Sequence, residues 1–434
     1  AGTGTAGAAR VDKLAIQTLG GRIDGTADVA WAPQPSWDAA LTLAELDPGQ
    51  VLADWPGSLG GRIASEGRIT EDGAVLSATI SDFGGELRGY PVRLVAAAGM
   101  DGEVIRLDEL TASSGETRLS ASGRVADVLD LRFDLESPDL GALLPEAEGR
   151  LSAEGQVGGT PKAPSIALTL DGADVAINGQ GIEVIEGQAD VGLGEGGDFQ
   201  IDIDGSNLVA GGQRFEILAI DGSGSIADHS LRLALTGDSL GLNLAADGAL
   251  GDAGAYSGSL QRLDLSSDLL GDWGLRRPAP YSIDAGRIAA GPLCLGNGLD
   301  SGACVEYTQP QPGRFEAALD MDRFGLDVLN PLLPELMVMN GYVRGRARFS
   351  GAGDQLTGDA LIELPAAEAE IALPDTKDKL VFAGTRLAVQ AGGGGLDATF
   401  ALPLEGVGRV DASVGMPGFR LGGAATQPLR GAVD

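Results

Sequence analysis

Ser239 stands between two glycines in Gly237-Asp-Ser-Leu-Gly241, a match to the Gly-x-Ser-x-Gly elbow of serine hydrolases and to a Gly-Asp-Ser-Leu block. A nucleophile elbow needs a strand, a sharp turn and then a helix, and its histidine base comes from downstream. Here Leu240-Gly-Leu-Asn-Leu-Ala245 alternates like a second strand, and the one histidine, His229, lies upstream. The serine therefore reads as part of a hairpin turn. His229, next to Asp228, reads as a solvated histidine in a turn between strands. Gly192-Leu-Gly194-Glu-Gly-Gly197 has dinucleotide-binding spacing, but that fingerprint needs a helix behind it. Phe199-Gln-Ile-Asp-Ile-Asp204 follows as a strand, so this too is a turn. Asp320-Met-Asp322-Arg-Phe-Gly325 opens like a calcium loop, yet Pro331 stands where the bidentate Glu belongs. Gly392-Gly-Gly-Gly-Leu-Asp397 is a single copy of a turn that β-rolls repeat in tandem. Cys294 and Cys304 flank a hairpin-like loop. With no third cysteine and a remote histidine, zinc is excluded, and the Cys-x-x-Cys redox spacing is absent. A structural disulfide is the remaining reading. No catalytic residue, no metal site and no cofactor is expected, and the chain is not read as an enzyme.

Charge and composition narrow the class further. The 434 residues carry 30 basic and 62 acidic side chains, a net charge of −32. Such a surface repels phosphate backbones, so no nucleic acid is expected as a partner. It also offers no basic dock for anionic headgroups. Hydrophobic residues make up 43%, which a disordered chain this acidic would not carry. No run of 18 apolar residues exists to span a bilayer as a helix.

The elements that must position everything else are strands. Leu129, Leu131, Phe133 and Leu135 alternate with Asp130, Arg132, Asp134 and Glu136. Ile166, Leu168 and Leu170 repeat the pattern, as do Leu231, Leu233 and Leu235, then Leu240, Leu242 and Leu244, and finally Leu396 to Leu402 around Phe400. Each stretch has one oily and one wet face. Asp72-Gly73, Asp101-Gly102, Asp171-Gly172, Asn178-Gly179, Asp204-Gly205, Asp221-Gly222 and Asp247-Gly248 read as hairpin turns between them. The fold class is all-β, a long antiparallel meander of about 25 to 30 strands. Its oily face must close as a barrel, pair as a sandwich or curl into an open groove. A groove would leave Leu131, Phe133, Ile166, Leu168, Leu170, Leu233, Leu235, Leu242, Leu244 and Phe400 as a lining for acyl chains. Many small residues and only 4% aromatics favour the groove; a sandwich with a dry core is the alternative.

Short Leu/Pro/Asp segments interrupt the meander: Leu46-Asp-Pro-Gly-Gln-Val-Leu52, Ser137-Pro-Asp-Leu-Gly-Ala-Leu-Leu-Pro145, a diverged Leu263-Asp-Leu-Ser-Ser-Asp-Leu-Leu270, and Leu329-Asn-Pro-Leu-Leu-Pro-Glu-Leu336. Pro beside Asp or Asn marks a helix start, so each predicts one or two helical turns feeding a Gly-rich strand. They divide the chain into a partial segment 1–45 and repeat units 46–136, 137–262, 263–328 with the cysteine hairpin, and 329–434. The Leu-Asp-Pro, Trp55-Pro56-Gly57 and Gly-Arg units resemble the AsmA-like and TamB family of Gram-negative bacteria over about residues 40 to 430. Asp272-Trp273-Gly-Leu-Arg-Arg-Pro278 with the cysteine pair is the most specific part of that resemblance. The resemblance implies a middle segment of a longer periplasmic protein. It would be tethered to the inner membrane through a missing N-terminal anchor and engage a TamA-like outer-membrane barrel partner through a missing C-terminal region. It would carry phospholipid between membranes and aid outer-membrane protein assembly, in a compartment oxidising enough for the disulfide. Two alternatives are an assembly scaffold that templates strands by β-augmentation, and a secreted β-rich adhesin.

Overall fold

The computed structural model describes the whole chain except residues 72, 195, 252–253, 299–300, 335, 373–376, 422–429 and 434. Two compact units divide it, Ala1–Ile226 and Ala227–Asp434. The first contains β1 (Gly2–Gly4), β2 (Ala8–Thr18), β3 (Gly21–Ala30), β4 (Ser36–Leu46), β5 (Gly57–Thr70), β6 (Gly73–Leu87), β7 (Tyr90–Asp101), β8 (Val104–Ser114), β9 (Thr117–Val125), β10 (Leu129–Ser137), β11 (Ala147–Thr160), β12 (Ala163–Ile177), β13 (Gln180–Gly192), β14 (Asp198–Ala210) and β15 (Gln213–Ser225). Each strand pairs antiparallel with the next.

The second unit contains β16 (Asp228–Thr236), β17 (Leu240–Leu250), β18 (Tyr256–Ser267), β19 (Trp273–Leu275), β20 (Ala279–Asp284), β21 (Arg287–Gly296), β22 (Gly302–Gln311), β23 (Arg314–Gly325), β24 (Met337–Ala352), β25 (Gln355–Ala372), β26 (Lys377–Val381), β27 (Thr385–Gly392), β28 (Gly395–Leu404), β29 (Gly408–Pro417) and β30 (Arg430–Val433). β19 and β20 lie end to end along β18, and β26 and β27 along β25, so each couple acts as one broken strand. The antiparallel meander expected from the alternation is what forms. Among the described residues no helix is long and apolar enough to cross a membrane.

The turns are only partly those expected. Asn178-Gly179 is a two-residue hairpin with both φ angles positive, at 51° and 77°. Leu19-Gly20, Arg88-Gly89 and Ala285-Gly286 adopt the same form, with Gly alone supplying the favourable residue type. Asp171-Gly172, Asp204-Gly205, Asp221-Gly222 and Asp247-Gly248, expected as turns, instead lie inside β12, β14, β15 and β17. Asp72 of the expected Asp72-Gly73 turn, and Glu195 of the Gly192–Gly197 turn, are outside the described residues. Three of the expected helical segments form 3-10 turns, at Pro48–Gln50, Leu140–Ala142 and Leu326–Leu332. The expected fourth, Leu263–Leu270, is not helical: its first five residues complete β18, because Leu263 and Leu265 pair with Leu244 and Leu242.

Many strands carry a β-bulge with a common sequence form. Leu43-Ala-Glu-Leu46, Ile80-Ser-Asp-Phe83, Leu107-Asp-Glu-Leu110 and Met321-Asp-Arg-Phe324 each span three residues while their partners span two. Partners two apart lie on one face, so the bulge resets the alternation and keeps both apolar flanks together. Glu45 and Asp82 take the left-handed conformation there, at φ of 56° and 49°.

Few side chains leave water completely. The accessible surface is 25,422 Å², against about 15,000 Å² for a close-packed monomer of this mass. Leu46, Leu140, Ile182, Phe215 and Leu326 are among the few large apolar residues that are buried.

Candidate functional site: an open apolar face

Cross-strand pairing turns the alternation into rows. In the first unit, Leu131 faces Val157, which faces Ile166; Phe133 faces Gly155, which faces Leu168; and Leu135 faces Ala153, which faces Leu170. The rows continue through Val191 and Phe199, through Ala189 and Ile201, and through Gly187 and Ile203. They also run backwards through Gly123 to Leu107 and through Ala121 to Leu110. In the second unit, Leu233, Leu244 and Leu263 form one row, and Leu235, Leu242, Leu265 and Trp273 another. Phe400 faces Leu387, which faces Ile362. The structure thus places each expected lining residue on such a row. All are half-buried except Ile166, which is exposed.

Glycine thins the face where a ring crosses it. A Cβ on Gly155 would sit 2.6 Å from Cζ of Phe133, and one on Gly222 would sit 2.7 Å from Cε1 of Phe199. Trp37 covers Gly67, and Phe315 covers Gly351, in the same way. Rings that lie over bare backbone add apolar area without filling the space above it. This role, rather than positive φ, explains Gly222 and Gly248, which lie under the rings of Phe199 and Tyr256, whereas Gly172 and Gly205 make room for aliphatic side chains such as Ile185 and Ile182.

One edge of the first unit is tied together by the 3-10 turns. Both follow even-numbered strands, so antiparallel alternation puts them on the same edge. The Asp47 carboxylate accepts from Gly57 N at 2.8 Å and Gly49 N at 2.9 Å, and these bonds hold it below the usual carboxylate range. Asp139 accepts from Gly141 N and from the Tyr90 hydroxyl. Arg88 joins the two turns: its guanidinium sits 5.0 Å over the Trp55 ring and donates to Gly141 O at 2.9 Å. Thr117 and Ser137, both fully buried, share a 2.8 Å hydrogen bond beneath the second turn.

In the second unit, Cys294 and Cys304 are directly opposed on β21 and β22 and form a disulfide, with Cα atoms 4.0 Å apart. Leu299 and Asp300 of the loop between them are outside the described residues. Ser301 in that loop accepts from Gly325 N at 2.7 Å, at the head of the Leu326–Leu332 turn, and its carbonyl accepts from Arg276. Trp273 stacks on Phe324 beside it. The bridge therefore staples a hairpin to the neighbouring turn. Reduction is expected to lower stability by about 2–3 kcal/mol in the chain-entropy account. Thermal melts with and without reductant check this, the far-UV spectrum of the folded protein staying the same; an unchanged midpoint would count against it.

His229 departs from expectation. It lies within β16 rather than in a turn, half-buried, with Nε2 2.9 Å from the Tyr256 hydroxyl. Its ring stacks on Tyr256 at 5.6 Å, and Tyr256 on Tyr281 at 5.9 Å. The alternation of Leu231 to Leu235 extends two residues further back than the polar Asp228-His229-Ser230 composition suggests. Burial, then the hydrogen bond with Tyr256, pushes the Tyr281 phenol up to about 12. The neutral phenol is the form the fold favours. Its stabilisation is fully present below the unfolded value near 10 and is lost as pH rises through about 12. A urea series between pH 9 and 12 should show this decline in the wild type and less of it in Tyr281→Phe.

The polar face is separate. It carries exposed pairs such as Arg62–Asp82 and Arg348–Asp320, each worth little in water. A concavity of about 560 Å³ is lined by Arg132, Asp134, Glu154, Gln156 and Gln188 of this face together with Phe133 and Leu168 of the oily rows. Ser239 lies in the bend between β16 and β17, and Asp320 and Asp322 lie within β23. Among the described residues no group of His, Cys, Asp and Glu is placed to hold a metal.

Strands paired in chain order, one face of half-exposed aliphatic rows, and short capped turns along an edge define a class: open β proteins with an unfilled apolar face. The family described as the TamB N-terminal domain matches residues 1–433, and the chain belongs to it. It is similar, at 24% identity over 240 residues, to the translocation and assembly module subunit TamB of Haemophilus influenzae. That alignment covers 55% of this chain and 18% of the relative's own length. No solved structure matches the chain.

Proposed function

We propose that this chain is a non-enzymatic part of an envelope translocation and assembly machinery, and that its apolar face is a path for phospholipid acyl chains through the periplasm. The observation that supports this most is the continuity of half-exposed aliphatic rows from strand to strand. A face that is oily, thinned by glycine and left open gains about 25 cal/mol for each Å² covered by an apolar ligand. The named role of the Haemophilus relative in translocation and assembly supports the same setting. In this reading the full-length protein is anchored at the inner membrane and works with an outer-membrane barrel partner.

Photo-cross-linking in cells tests the path. A photoreactive residue at Leu168, Leu235 or Leu242 should capture phospholipid, and one at Thr169, Thr236 or Asn243 on the opposite face should not. Equal capture on both faces would sink the proposal.

A further inference from the structure

One cross-strand row of the second unit differs in chemistry from the rest. His229 faces Gly248, Gly248 faces Gly258, Gly258 faces Tyr281, Tyr281 faces Ala290, and Ala290 faces Tyr307. Tyr256 sits one position outward, with its ring over Gly248. The single histidine and three of the five tyrosines of the chain thus gather at one margin of the apolar face. Glycine makes the arrangement possible. A Cβ on Gly258 would sit 2.7 Å from Cζ of Tyr281, and one on Gly248 the same distance from Cζ of Tyr256. The rings of His229, Tyr256 and Tyr281 are inclined to their neighbours by only 29° and 26°. They form a side-by-side platform over bare backbone. Their polar atoms are tied up at the rim: Nε2 of His229 with the Tyr256 hydroxyl, and the Tyr281 hydroxyl donating to Asp247 O at 3.0 Å.

Such a platform offers π-surface next to the row of Leu231, Ala246 and Leu260, beyond which lies that of Leu233, Leu244 and Leu263. By strand alternation Asp228, Arg232, Asp247 and Asp284 fall on the opposite face, where Arg287 pairs with Asp284. Flat rings suit a cationic amine, and a chain of net charge −32 disfavours a bare anion. Resting on the acyl-chain path proposed above, we infer that this platform is a headgroup station: the ammonium of a zwitterionic phospholipid lies on the Tyr256–Tyr281 rings while its acyl chains lie along the leucine rows.

The test is transfer of acyl-labelled phosphatidylethanolamine or phosphatidylglycerol to the whole chain from vesicles of digalactosyldiacylglycerol, an uncharged lipid without an ammonium. The wild type should take up the ethanolamine lipid about threefold to tenfold better, the range that ring–cation contacts support. Tyr256→Phe/Tyr281→Phe keeps the rings and should keep most of that ratio. Tyr256→Leu/Tyr281→Leu should bring it close to one while uptake of the glycerol lipid persists, with folding verified by limited proteolysis. The single Tyr281→Leu, less disturbing to the fold, should lower the ratio part of the way. Equal uptake by the wild type, or a ratio that survives in a folded leucine variant, overturns the headgroup station and leaves the acyl path standing. A wild type that takes up neither lipid overturns both.

Discussion

Leu235→Asp and Leu242→Asp are expected to leave the protein folded and to stop lipid passage at that point. Leu235 and Leu242 are directly opposed on β16 and β17 and half-exposed, so a carboxylate there keeps contact with water. The fold should lose about 1 kcal/mol, the share of a leucine's transfer energy that partial burial represents. An acyl chain meeting the same carboxylate must strip its water, and an unpaired charge strongly resists transfer to hydrocarbon. Lipid capture at positions beyond the substitution should therefore fall to background. Thr236→Asp, on the opposite face, should change neither property. Proteolysis and cross-linking on the same samples separate the outcomes. Unfolding of both leucine variants would mean a dry core, where stranding a charge costs several kcal/mol.

Gly155→Val is expected to cost about 1–3 kcal/mol, the usual penalty of overpacking. The added Cβ would come within 2.6 Å of Phe133 Cζ and 2.9 Å of the Ala167 carbonyl oxygen, and the latter belongs to backbone that cannot swing aside. The ring can move only by standing up into the space above the face. Gly155→Val should thus also weaken lipid capture at Leu168, which lies beside it. Combining it with Phe133→Ala should recover part of both losses. A double variant no better than the single one would show that the ring is not the obstacle.

The strands were legible because each has only two faces and one of them is oily. The pattern Leu129, Leu131, Phe133, Leu135 leaves no other reading, and β10 begins and carries its apolar rows as that pattern requires. The bulges were not read, although their signal was present: two apolar residues three apart inside an otherwise alternating run, as in Leu43-Ala-Glu-Leu46. Reading for strict alternation discards that spacing as a break. Glycine misled for a related reason. Asp-Gly reads as a turn when glycine is valued for its backbone freedom. At Gly222 and Gly248 what matters is the missing side chain, and the ring that needs the room, Phe199 or Tyr256, sits on the neighbouring strand and not beside the glycine in sequence. Separation in sequence also hid the surroundings of His229, whose partner Tyr256 is 27 residues away.

Pairing in chain order carries a mechanical consequence. Within each unit a strand is held by its two neighbours and by little else, so cohesion is a chain of nearest-neighbour terms. A pull applied across the strands should peel hairpins one at a time, at a nearly constant force, instead of rupturing a single cooperative core. Damage should stay where it occurs, and adding or deleting a whole hairpin should alter reach while sparing the rest. The Arg88 clamp between two turns and the Cys294–Cys304 bridge are local departures from that rule, and the peeling force should rise where each is met.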